Sequence, residues 1–116
     1  IEVHLHDDRG LAMANALAVS GRVEWVSTSI NGLGERCGIV DTIAFVENLN
    51  FKYKLGASKL DQGRKLSQFV KVLTNTDVET RRPVTGAHAF RHRSALHVKA
   101  FSKDMNSYLW SSEFLG

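Results

Sequence analysis

Cysteine and proline occur once each in this 116-residue chain, and methionine, tryptophan and tyrosine twice each. A single cysteine, Cys37, excludes an internal disulfide framework and fits a reducing, cytoplasmic compartment. No apolar run is long enough to span a membrane. No signal-peptide pattern opens the chain, whose first residue is Ile1 rather than methionine. Excess charge is scarce as well: the net charge is +3, with a pI near 9.3. A bias that mild does not demand nucleic acid and suits an enzyme of anionic substrates equally well. Neither nucleic acid nor a membrane is therefore expected as a partner. There is no internal repeat and no low-complexity segment. What remains is ordinary for a soluble globular protein, 43% hydrophobic and 23% charged. The length suits one domain or a piece of one, and the abrupt start inside a strand-like run suggests a piece.

The chain opens on alternation. In "IEVHLH", Ile1, Val3 and Leu5 fall on one face and Glu2, His4 and His6 on the other, which predicts a strand. "DDRG" breaks it. "LAMANALAVSG", residues 11–21, reads as a buried helix with a glycine stop. "VEWVSTSI", 23–30, reads as a second strand, "NGLGERCG", 31–38, as a glycine-rich loop, and "IVDTIAFVENLNF", 39–51, as helix. Strands and helices alternating at this spacing imply parallel βαβ units. Two such units cannot close a covered sheet. Further on, "KLSQFVKVL", 65–73, carries apolar residues at 66, 69, 70 and 73, a helical spacing. "RRPVTG", 81–86, is a turn punctuated by Pro83 and Gly86.

The five histidines fall into two groups. His4 and His6 end the first strand, and His88, His92 and His97 lie within ten residues of one another. On a strand, residues i and i+2 point the same way about 7 Å apart, so two imidazoles can share one divalent metal. The same pair can equally be two half-buried polar residues satisfied by neighbours, since two ligands do not complete a site. The glycine-rich loop likewise has two readings: a plain strand-to-helix turn, or a backbone pocket for an anion at a helix N-terminus.

Taken together, "HLHDDRGLAMANALA", "STSINGLGER" and "PVTGAHAFRHRSALHVKA" resemble one family across nearly the whole chain. It is that of the acyl-CoA/2-oxo-acid condensing enzymes, which includes homocitrate synthase, 2-isopropylmalate synthase and citramalate synthase. The resemblance implies an α/β fold: the last two βα units of a TIM (β/α)8 barrel over residues 1–52, then a small helical subdomain over 53–116. It implies that His4 and His6 are metal ligands for Zn, Mn or Mg. The third ligand, an aspartate, would stand beside an arginine on the first barrel strand, outside these 116 residues. It implies that His97 and Tyr108, eleven residues apart, are the catalytic acid/base pair acting on the acetyl group of acetyl-CoA. Imidazole, which titrates near neutral pH, suits that work. Arg36, Arg91, His92, Arg93 and Lys99 are candidate contacts for the 2-oxo acid or for CoA phosphates, although charges on a helical tail are more often simply solvated. The family pattern also implies a homodimer in which the tail reaches the partner's barrel.

Isopropylmalate-type sequences usually read GERAGN where this chain has "GERCGI", with Cys37 and Ile39. The stretch "ALHVKA" leans towards the homocitrate type, with Ala95 in place of a glycine. The expected activity is thus a metal-dependent Claisen condensation of acetyl-CoA with a 2-oxo acid, followed by thioester hydrolysis. Two alternatives stand beside it. One is a related acyl-CoA lyase, whose members share HxHD but have GLGG where this chain has "GLGER". The other is a truncated, non-catalytic chain.

Overall fold

The computed structural model describes residues 1–54, 62–104 and 107. Strand β1 (Glu2–His4) pairs in parallel with β2 (Trp25–Ser27), Val3 opposite Val26 and His4 opposite Ser27. Parallel strands need a crossover, and helix α1 (Ala12–Val19) supplies it. Its buried face consists of Ala12 and Ala16, one helical turn apart. Without bulky side chains there, α1 lies close against Val40 and Phe45, with Leu5, Leu17, Val26 and Leu49 packed around them. The strand–helix–strand order expected from the alternation is present.

Helix α2 (Thr42–Tyr53) starts three residues later than "IVDTIAF" suggests. The reason is local. Ile39 and Asp41 remain extended, because Ile39 bridges His6 antiparallel and Asp41 bridges Ser29 in parallel. Asp41 then caps the helix, its Oδ1 accepting from the N–H groups of Ile43 and Ala44 at 2.9 and 3.3 Å. Lys54, left-handed at φ 51°, ends α2 by donating its N–H to Asn50 O.

Helix α3 (Gly63–Thr74) covers the apolar spacing at 66, 69, 70 and 73, but the burial differs from what that stripe suggests. Ser67 is fully buried, whereas Phe69 and Leu73 are 63% and 72% exposed. A polar clasp docks the helix: Ser67 Oγ donates to Asn31 Oδ1 at 2.5 Å, and Asn31 Nδ2 donates to Ser67 O at 3.0 Å. Leu66 and Phe69 face Ile30, Ile43 and Val46 across an open groove. The turn after Pro83 buries Val84 against Ile43 and Ala44. Helix α4 (Ala95–Lys103) has no buried residue. No described helix is long and apolar enough to cross a membrane.

Candidate active site

Where β1 runs out, the backbone stays extended through His6 and holds both imidazoles on one side. His4 Nε2 and His6 Nε2 face each other at 3.3 Å, with the ring planes 67° apart. Two nitrogens held about 2.0–2.1 Å from one tetrahedral ion lie about 3.3–3.4 Å apart. The pair therefore fits two corners of a metal's coordination shell.

The two acids that follow are committed elsewhere. Asp7 Oδ1 accepts the first N–H of α1, from Ala12, at 2.9 Å. Asp8 takes a two-pronged contact from Arg36, Nη2 to Oδ2 at 2.8 Å and Nε to both oxygens at 3.1 Å. The Arg36 guanidinium holds the Asp8 carboxyl below its ordinary range, and Asp8 in turn raises the Arg36 pKa. Among the described residues, no three His, Cys, Asp or Glu side chains surround a common point. A complete metal site needs a ligand from outside them.

The glycine-rich loop frames the histidines. Gly38 O accepts from Asp7 N at 3.0 Å, and Ile39 N donates to Gly32 O at 3.1 Å. Gly38 sits at φ 80°, where a Cβ would lie 2.0 Å from Gly32 O. Only glycine fits such a crossing. The anion-pocket reading of this loop does not hold at α2, because the chain's own Asp41 carboxylate fills that helix N-terminus. Asp41 is 6% exposed and also accepts from Arg82 Nη1 at 3.0 Å. Arg82 thereby ties the "RRPVTG" turn to the strand–loop–helix unit. Neither residue stood out in the sequence, although an acid directly before a helical run is a recognisable cap signal. The Asn31–Ser67 clasp leaves no such signal.

The second histidine group lies apart from the first in the chain. His97 is exposed on α4, its ring edge-on to that of His92 at 6.0 Å between centroids. His92 also lies against Phe101 at 5.5 Å. Lys99 is exposed on the same helix, and Arg91 and Arg93 are exposed just before it. Tyr108, expected as the partner of His97, lies outside the described residues.

Comparison with known proteins bears on this arrangement. Residues 1–75 match the HMGL-like family. The homocitrate synthases of Pyrococcus horikoshii and Pyrococcus abyssi are 38% and 37% identical to this chain over 109 residues, 93% of its length and 30% of theirs. That of Saccharolobus solfataricus is 35% identical over 108 residues, 92% of this chain and 23% of its own length. The chain thus spans less than a third of these curated relatives.

Proposed function

The chain belongs to the HMGL-like family, in its homocitrate synthase/2-isopropylmalate synthase group, and from that membership we propose that the protein is an acyltransferase joining acetyl-CoA to a 2-oxo acid. The leaning of "ALHVKA" makes 2-oxoglutarate the first acceptor to try. In this reading residues 1–52 are the closing βα units of a TIM barrel, and 53–116 form the subdomain that works over its mouth.

The observation that carries the proposal is the 3.3 Å approach of His4 Nε2 and His6 Nε2. His4 and His6 would hold a divalent ion. When bound, that ion supplies Lewis acidity to the carbonyl of the oxo acid. The remaining work falls to side chains of this chain. His97 accepts a proton from the acetyl methyl, and Tyr108 relays or returns protons during condensation and thioester hydrolysis. The Arg36–Asp8 pair fixes the glycine-rich loop beside the histidines and keeps the metal-facing wall in place. The absence of any buried residue on α4 supports a subdomain that completes its packing against other parts of the protein, a homodimer partner included.

The test takes the full-length protein with acetyl-CoA and, in turn, 2-oxoglutarate, 2-oxoisovalerate, pyruvate and oxaloacetate, and follows free CoA. Release with one acceptor supports the condensing enzyme and identifies its substrate. No release with any of them, from a folded protein that binds metal, overturns it in favour of a lyase or a non-catalytic role.

A further inference from the structure

The turn that anchors Val84 also builds a second feature. His88 N donates to Thr80 O at 2.9 Å, Gly86 N to Arg82 O at 3.0 Å, and Arg91 N to His88 O at 3.1 Å. The winding is so tight that a Cβ on Gly86 would lie 2.6 Å from the backbone of Thr80 and Arg82. Val84 and Thr85, 7% and 2% exposed, pin the turn to the body. The turn's hydrogen bonds thus fix the backbone from Thr80 to Arg91, and Arg93 follows two residues on.

Arg81, His88, Arg91 and Arg93 line one pocket of about 270 Å³ with no carboxylate among its walls. Arg36, Lys71 and Arg82 each pair with an aspartate, but among the described residues Arg81, Arg91 and Arg93 form no ion pair. Like charges drawn together without a counter-ion are unfavourable unless something anionic joins them. Partial burial, and after it the charges of Arg91, Arg93 and Arg81, push the His88 pKa down.

We infer that Arg81, His88, Arg91 and Arg93 form a binding site for a phosphate or diphosphate group. Planar guanidinium forks match phosphate oxygens two at a time, which a lone carboxylate would not need three arginines to satisfy. The pocket is smaller than the roughly 300–1,000 Å³ that holds a whole drug-sized ligand, so it suits a head group. The phosphate could belong to the phosphorylated arm of an acyl-CoA or to a free phosphorylated effector. The site does not depend on the proposed reaction; only the first of those sources does.

Calorimetry on the full-length protein tests this without turnover, with inorganic pyrophosphate as the probe. Binding to the parent, weakened at least tenfold in both Arg91→Gln and Arg93→Gln with unchanged far-UV circular dichroism, is the expected result. No binding to the parent, or equal affinity in parent and variants, overturns the site. Titrating acetyl-CoA with and without saturating pyrophosphate then assigns the source. Competition marks the coenzyme arm, and independent binding marks a free effector. A protein that binds pyrophosphate in this variant-sensitive way but releases no CoA would keep the site and lose the proposed reaction.

Discussion

His4 and His6, 3.3 Å apart at Nε2, are the proposed metal ligands, and their replacement separates chemistry from folding. His4 is exposed on β1, His6 is half-buried just beyond it, and neither belongs to the apolar core. His6→Ala should therefore fold normally while losing bound metal and about two orders of magnitude or more of activity in the full-length protein; metal content and CoA release are the two readouts. Gly38 is the opposite case. Gly38→Ala places a methyl against Gly32 O at a positive φ. It should cost about 2 kcal/mol or more, seen as a lower midpoint in urea. Glu47 is 6% exposed on α2, and burial raises its pKa. The folded state then holds the proton more tightly than the unfolded one, so stability falls as pH climbs from the ordinary glutamate range through the raised value. Glu47→Gln should melt above the parent at pH 8, and the difference should shrink towards nil near pH 4.

Elements are joined here by polar fasteners as much as by apolar contact. Asp41 caps α2 and anchors Arg82 at once. Asp41→Ala should cost about 2–3 kcal/mol, the cap contributing about 0.5–2 of it and the stranded, half-buried guanidinium the rest. Asp41→Asn, which can keep the cap but not the ion pair, should fall between, as urea unfolding of the three proteins would show. The fasteners also explain which elements were legible. Alternation in "IEVHLH" and the alanine-rich run after it marked β1 and α1, whose patterns are local: half-buried Val3 and Leu5 alternate with Glu2, His4 and His6, and Ala12 and Ala16 form one buried helical face. "IVD" continues the helical pattern in the sequence, yet it stays extended to bridge His6 and Ser29, a pairing with residues distant in sequence. The stripe at Leu66, Phe69 and Leu73 correctly marked a helix but not its docking face, which the Asn31–Ser67 clasp sets. At the candidate site the sequence supplied the histidines and the loop, while the pairs Asp8–Arg36 and Asp41–Arg82 depended on distances no spacing encodes.

Across the whole chain, the described residues bury a small core and leave large apolar side chains outside it, Trp25 at 72%, Val72 at 79% and Leu96 at 74% among them. An exposed apolar residue contributes little in place, so Val72→Lys in the 116-residue chain should change stability by no more than about 0.5 kcal/mol. If the rest of a barrel or a partner subunit covers that face, the same substitution in the full-length protein should lower its melting temperature by several degrees. Those faces, the 3.3 Å histidine pair and the family match are the grounds on which we propose a metal-dependent condensing enzyme. One measurement reaches that claim most directly: CoA release by the full-length protein from acetyl-CoA and 2-oxoglutarate, before chelation, after it, and after restoring a divalent ion. Release that disappears on chelation, returns with metal and is absent in His6→Ala is the expected result. Release indifferent to chelation and to His6→Ala would contradict the account, since the histidine pair would then hold nothing the reaction needs.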